Sequence, residues 1–311
     1  YKTGNLDLAA AHYRSAIHLK PSFTDSYNNL ATLLVQKGQV AQAIQCYQLA
    51  LNINPSLYVV SSNLGDLWRS LGTPQGRRLA ECCYLQAVRC EQTYAPAWVG
   101  LAELWKEERE FERAIACYEQ ILEFQPGSAE TYSGLGLCYS ELKDLGEAER
   151  CYLRAVGVYG QNAVALANLA GVYYEQGKLE SAIQTYKEAI KIDPNFAEVY
   201  NNLSNAFREA GFLEEAVSCY TTCIRIQCGL PPGSNIYRAL PPLFDARAVQ
   251  RLCVVYNNLG GVLKIQGRMQ EAIACFQQVR TLQPNSAEAH TNLASAYKDC
   301  GKHDYAIVEY R

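Results

Sequence analysis

The residues best equipped for chemistry are thirteen cysteines and four histidines. His12, His18, His290 and His303 have no cysteine or carboxylate cluster beside them at ligand spacing, so no metal site is expected. Six cysteines, Cys46, Cys83, Cys117, Cys151, Cys219 and Cys275, share one recurring position just before an aromatic residue. Packed helices hold equivalent positions about 8–10 Å apart, and a disulfide needs Cα atoms within about 7 Å. The six therefore read as small, half-buried residues of a reducing compartment. The odd total and the lack of a CxxC agree with that. The Cys82–Cys83 pair and the run Cys219, Cys223, Cys228 are the candidates for a reactive thiol. No HExxH, GxSxG, Walker or Rossmann motif occurs. Gly134-x-Gly136 lacks the third glycine and lies inside a helical pattern. No catalytic residue is identified. The sequon Asn202-Leu203-Ser204 has a core leucine at its centre and reads as chance.

A second set of residues is laid out for binding. Asn29, Asn63, Asn168, Asn202, Asn258 and Asn292 each stand one residue before a recurring leucine. A carboxamide offers one acceptor and two donors. It can bond both the N–H and the C=O of an extended peptide without reading its side chains. Each such bond contributes about 0.5–1.5 kcal/mol. Six of them, less the ordering cost, give roughly millimolar to micromolar affinity, which suits a transient ligand. The same position can instead serve helix packing. Gly100 and Gly134 interrupt the row. Neighbouring positions (Asp66, Glu103, Lys106, Asn205, Arg208, Lys264 and Lys298) give a lining of mixed charge.

The elements that position this row repeat every 34 residues. Pro21 and Pro55 are 34 apart, Pro126 and Pro194 twice that, and Pro284 closes a later unit. Six residues after the proline comes Tyr27, Tyr132, Tyr200 or His290. Nine after it comes Leu30, Leu64, Leu135, Leu203 or Leu293, followed by a small residue. A turn glycine follows at Gly38, Gly211 and Gly301. An alanine and an aromatic four later complete the unit: Ala43 and Tyr47, Ala182 and Tyr186, Ala216 and Tyr220, Ala272 and Phe276. Three- and four-residue apolar steps predict two amphipathic helices per unit. The glycine permits the reversal, and the proline stops the second helix.

Across its 311 residues the chain is 49% hydrophobic and 19% charged with net charge −3. That excludes wholesale disorder and argues against a nucleic-acid binder. No apolar run is long enough to span a membrane, and the first twenty residues read as an amphipathic helix rather than a signal peptide. The chain opens on Tyr1, has Met269 as its one methionine and stops at Arg311 within a helical pattern. It is therefore expected to be a piece of a longer protein.

The expected organisation is a leading second helix in 1–23, six repeats in 24–230, a Pro-rich insertion loop in 231–252, and two further repeats in 253–311, the last truncated. The eight units begin near 24, 58, 95, 129, 163, 197, 253 and 287. Three extra residues around Gly72–Gly76 fit a longer turn. The insertion carries Pro231-Pro232 and Pro241-Pro242, which no helix interior tolerates. Asp245 is placed to cap a longer first helix after it. The insertion reads either as a tolerated surface loop or as a partner-docking loop using Ile236, Tyr237, Leu243 and Phe244.

The marks aromatic, Leu, small, Gly, Ala, aromatic and Pro on a 34-residue period resemble the tetratricopeptide repeat. The resemblance covers nearly the whole chain. It implies an all-α, right-handed superhelical solenoid of helix–turn–helix repeats whose first helices line a concave face. Within that family, Pro55–Leu67 (PSLYVVSSNLGDL), Asn168–Gly177 (NLAGVYYEQG) and the ending from His290 to Arg311 look like repeats of protein O-GlcNAc transferases. That resemblance implies a substrate-guiding region for an enzyme moving GlcNAc from UDP-GlcNAc to Ser or Thr of nuclear and cytoplasmic proteins. The family's asparagine row falls on the six asparagines named above. None of its catalytic or sugar-nucleotide residues lies in this chain, so no cofactor is expected here. The expected partners are extended segments of substrate or partner proteins, with no nucleic acid and no membrane; homo-oligomerisation stays open. A free-standing adaptor or co-chaperone, a structural scaffold and the repeat region of a SPINDLY-type O-fucosyltransferase are the alternatives.

Overall fold

The computed structural model describes residues 2–238 and 245–310. Among them it has seventeen α-helices, one 3-10 turn and no strand. The chain divides into two compact units, Tyr1–Asp144 and Leu145–Arg311. The first opens with α1 (Lys2–Leu19). Three helix pairs follow: α2 (Thr24–Gln36) with α3 (Val40–Ile53), α4 (Tyr58–Ser70) with α5 (Pro74–Cys90), and α6 (Ala95–Glu107) with α7 (Phe111–Phe124). It ends in α8 (Ala129–Glu141). The second opens with α9 (Leu145–Val158). Its pairs are α10 (Ala163–Glu175) with α11 (Leu179–Ile192), α12 (Ala197–Glu209) with α13 (Leu213–Cys228), α14 (Ala246–Ile265) with α15 (Met269–Leu282), and α16 (Ala287–Asp299) with α17 (His303–Tyr310).

Each reversal needs one left-handed residue. Glycine supplies it at Gly38, Gly72, Gly177, Gly211, Gly267 and Gly301, with φ between 65° and 84°. Arg109 and Lys143 adopt φ 63° without being glycine, at a cost of roughly 1–2 kcal/mol each. The three extra residues near Gly72 do not lengthen the turn. Thr73 accepts a hydrogen bond from the Gly76 amide and Pro74 takes the first helical position. The insertion is thereby absorbed into α5, which runs 17 residues where α3 runs 14.

Second helices bury an alanine–aromatic–small stripe. Ala80, Tyr84 and Ala87 are fully buried, as are Ala182 and Ala189 around Tyr186. The alanines let backbones approach, and each buried ring contributes about 1.5–3 kcal/mol. First helices of successive pairs touch directly, α2 with α4 and α4 with α6 in the first unit, α10 with α12 and α14 with α16 in the second. This side-by-side stacking puts the first helices on the inner face of each stack.

At three junctions between repeats, a side chain bonds back to the backbone six residues earlier, which closes the preceding helix. Tyr132 OH donates to the Pro126 carbonyl at 3.1 Å, and Trp98 Nε1 does the same to Gln92 O at 2.8 Å. In the last repeat His290 Nε2 faces Pro284 O at 2.9 Å while Nδ1 faces Glu309 Oε2 at 2.7 Å. Only the imidazolium donates to both. The Pro284 carbonyl first, and then Glu309, hold the His290 pKa above its ordinary value. The clamp is therefore complete below the unfolded pKa of about 6.5 and is lost as pH rises through the higher folded value. The protection factors of the α17 amides are expected to fall as pH rises through the folded His290 pKa, and His290→Asn should flatten that dependence.

The loop expected over 231–252 is shorter than that. Asp245 accepts from the Arg247 amide and starts α14 at Ala246, so 246–252 is helical. The 3-10 turn Ile236–Arg238 packs against α13 and α15. Ile236 is 5% exposed, and its carbonyl accepts from the buried Tyr256 OH. Tyr237 OH donates to Glu271 Oε2 at 2.8 Å. Two residues read as docking anchors thus face the protein's own core, because each finds a partner there. The other two, Leu243 and Phe244, and the Pro241-Pro242 pair lie outside the described residues.

Candidate functional site

The six asparagines sit on first helices at one register: Asn29 on α2, Asn63 on α4, Asn168 on α10, Asn202 on α12, Asn258 on α14 and Asn292 on α16. Asn29 and Asn202 are exposed and the other four are half-buried. Within each unit the structure brings neighbouring members onto one face.

Their carboxamides divide into two groups. Asn63 Nδ2 donates to Asn28 Oδ1 at 3.1 Å, Asn292 Nδ2 to Asn257 Oδ1 at 3.3 Å, and Asn258 Nδ2 to Asn205 Oδ1 at 3.5 Å. Each of these three spends one N–H on the preceding repeat and keeps its carbonyl and a second N–H. Asn202 accepts from Asn201 Nδ2 on its own helix at 3.3 Å. Asn29 and Asn168 spend no side-chain hydrogen bond on another described residue. Packing and peptide binding thus make different demands on different members of the row.

Gly100 and Gly134 are glycines because a ring fills the place of a side chain. A Cβ on Gly100 would lie 2.4 Å from Tyr84 Cε1, and one on Gly134 2.5 Å from Tyr118 Cζ. Both rings come from the preceding second helix, and their hydroxyls reach the first-helix face. Tyr84 OH donates to Asp66 Oδ1 at 2.6 Å and Tyr118 OH to Glu103 Oε1 at 2.9 Å. At Gly100 and Gly134 the row gives way to rings of the preceding repeat, Tyr84 and Tyr118, each bonded to a carboxylate of its own repeat. Burial alone would raise the Glu103 pKa, but Lys106 and Tyr118 outweigh it and hold the carboxyl below its ordinary value.

These pairs belong to a device that sequence reading missed. Tyr220 OH donates to Asn205 Oδ1 at 2.5 Å, and Tyr47 OH lies 3.1 Å from Thr32 Oγ1. Tyr47, Tyr118 and Tyr220 each stand fifteen residues after their partner. Tyr84 stands eighteen after Asp66, since the three extra residues of α5 intervene. Where the fifteenth residue back is Gly261, the aromatic is Phe276, which has no hydroxyl to satisfy. The pairing is not general, since Tyr186 keeps its hydroxyl opposite Gly171 and Tyr152 stands fifteen after Leu137, so spacing alone does not reveal it.

Four of the five candidate thiols, all but the exposed Cys82, are not poised for reaction. All thirteen cysteines are free. Burial pushes Cys83 and Cys223 up to about 12, and Cys219 and Cys228 up to about 11. A thiolate nucleophile requires the opposite shift. Among the described residues no group of three His, Cys, Asp or Glu side chains is placed to hold a metal ion, and no helix is long and apolar enough to cross a membrane.

Models of the tetratricopeptide repeat match residues 24–57, 100–163 and 197–227, and a related repeat model matches 170–211 and 260–301. Together they span well over half of the chain, and the chain belongs to the tetratricopeptide-repeat family. A comparison with curated protein sequences returns no match. A tetratricopeptide repeat protein from Parabacteroides merdae superposes with TM-score 0.60 at 17% identity, covering 88% of this chain and 98% of that one. A chain of the Cut9–Hcn1 hetero-tetramer of APC/C gives TM-score 0.60 at 16% identity, covering 95% of this chain and 54% of that one. PilF of Pseudomonas aeruginosa gives 0.56 at 18%, covering 69% and 88%. At such identities these likenesses establish the solenoid fold alone.

Proposed function

We propose that the first-helix faces hold extended segments of protein substrates or partner proteins, and that the chain is the non-catalytic repeat region of a protein O-GlcNAc transferase. The chain is a tetratricopeptide-repeat scaffold, and proteins of that family bind protein partners. The observation that carries the peptide-holding reading is the spare hydrogen-bonding capacity of the asparagine row. Asn63, Asn258 and Asn292 each retain an acceptor and a donor after serving the packing, and Asn29 and Asn168 retain all of theirs. Such groups match the alternating N–H and C=O of an extended backbone. The glycosyltransferase reading is supported by the sequence resemblance of Pro55–Leu67, Asn168–Gly177 and His290–Arg311. In that reading UDP-GlcNAc is used by a separate region, in the nucleus or cytoplasm.

Asn29, Asn168 and Asn202 provide the test, because none of them bonds a neighbouring repeat. Replacing all three with alanine should weaken binding of fluorescein-labelled, Ser/Thr-rich extended peptides at least about tenfold, from roughly 0.5–1.5 kcal/mol per bond. The melting temperature should hold. Unchanged affinity would assign the row to packing and leave a scaffold. The enzyme half is tested by sequencing the transcript past codon 311. Two α/β lobes suited to a nucleotide sugar support it, and an early stop codon leaves an adaptor.

A further inference from the structure

The first unit carries a polar hollow on its first-helix face between α2 and α4. Its volume is about 270 Å³, and Thr32, Val35, Asn63, Asp66, Leu67 and Ser70 line it together with Tyr47. The hydroxyl protons around it are already committed. Ser70 Oγ donates to Leu67 O at 2.7 Å and Thr32 Oγ1 to Asn28 O at 3.0 Å. Tyr84 gives its proton to Asp66 Oδ1. Asn63 has given one N–H to Asn28. What the hollow presents is mainly lone pairs, on two hydroxyls, a carboxamide and a carboxylate.

The carboxylate also has no ion-pair partner among the described residues, although Arg69 acts on the Tyr84 hydroxyl whose hydrogen bond it accepts. Arg69, one turn along α4, pairs with Glu107 at 3.2 Å. Lys106 pairs with Glu103 at 2.8 Å, and Arg77 with Glu108 at 3.6 Å. Lys37 pairs with Asp7. These four cations each have their own acid, and Asp66 forms no ion pair with any described residue. Its charge is felt locally. Burial first and then the Asp66 carboxylate raise the phenol pKa of Tyr47 and Tyr94. Val35 and Leu67 add apolar walls, which suit a methylene stem below a charged head.

We propose that this hollow seats a basic side chain, lysine or arginine, of the extended segment held on the same face. A lysine ammonium brings three donors and no acceptor, and arginine five donors. Either satisfies the lone pairs and the carboxylate together, whereas an acidic or neutral side chain leaves them unmatched. The inference rests on the peptide-holding reading and adds a side-chain preference that asparagines cannot supply.

The test uses the full 311-residue chain and three fluorescein-labelled peptides of Gly, Ser and Thr that differ at one central residue: lysine, norleucine or glutamate. The lysine peptide should bind about tenfold tighter than the norleucine peptide in low salt, the scale of a charge-assisted bond. The glutamate peptide should be weakest. Asp66→Asn keeps an acceptor for Tyr84 and should bring lysine down to the norleucine level without changing the latter. If that variant is unstable, Ser70→Lys, at an exposed position, should do the same by placing a resident ammonium in the hollow. Equal binding of lysine and norleucine peptides by the unaltered chain would overturn the subsite and leave the peptide-holding reading standing. No binding of any peptide would overturn both.

Discussion

Gly100→Asn, which would make the asparagine row continuous in repeat three, is expected to destabilise the first unit by about 3 kcal/mol. Tyr84 is fully buried, and its ring is wedged between two glycine backbones. A Cβ on Gly65 would stand 2.7 Å from the ring and one on Gly100 2.4 Å. Neither distance is survivable without movement. The ring cannot swing away, because its hydroxyl is held by Asp66 and its far side meets α4. Overpacking of this kind costs about 1–3 kcal/mol or more, and the gain in helix propensity over glycine is only a fraction of that. Gly171 and Gly261 are the controls. The nearest atom to a Cβ on Gly171 is Tyr186 Oη at 3.7 Å, and Gly261 has nothing within 4 Å. Alanine at either should add about 0.5–1 kcal/mol. Urea unfolding of the three variants checks the set. A stable Gly100→Asn would mean that the Tyr84 ring does not occupy that place.

Tyr256→Ala should cost about 3–5 kcal/mol in the second unit, the usual range for removing a fully buried ring. Tyr256→Phe separates the ring from its hydroxyl. It leaves the Ile236 carbonyl without its donor, at about 1–3 kcal/mol. The phenylalanine variant should also speed exchange of the Ser234 and Tyr237 amides, which lie in the segment that Tyr256 anchors. A loss confined to global stability, with those amides unaffected, would show that the insertion is held by other contacts.

Much of the fold was legible because one unit is written many times. Helix pairs, turn glycines and the alanine–aromatic stripe follow from spacing alone. Arg109 and Lys143 were not legible as left-handed residues, since the reading looks for glycine and the strain is carried by the surrounding helices. The extra residues near Gly72 look like turn chemistry, yet Thr73 and Pro74 also form a helix start, and the start prevails. The register of the asparagine row could be read from its leucines. Its division into packing and free members could not, because that depends on which side chain of the preceding repeat lies opposite. The reason for Gly100 was hidden too. The clash comes from a ring sixteen residues earlier, and only the packed structure brings the two together.

The packing of the insertion changes how the second unit comes apart. A stack of repeats is a row of links, each held by the next. Fraying that starts at α17 can pass through α16 one link at a time. At the insertion this no longer holds, because the 3-10 turn bears on α13 and α15 while Tyr256 of α14 grips it from between. Three consecutive helices share one fastening there and must let go together. The segment that breaks the 34-residue rhythm thus acts as a ratchet pawl, stopping an unzipping front before it reaches α12.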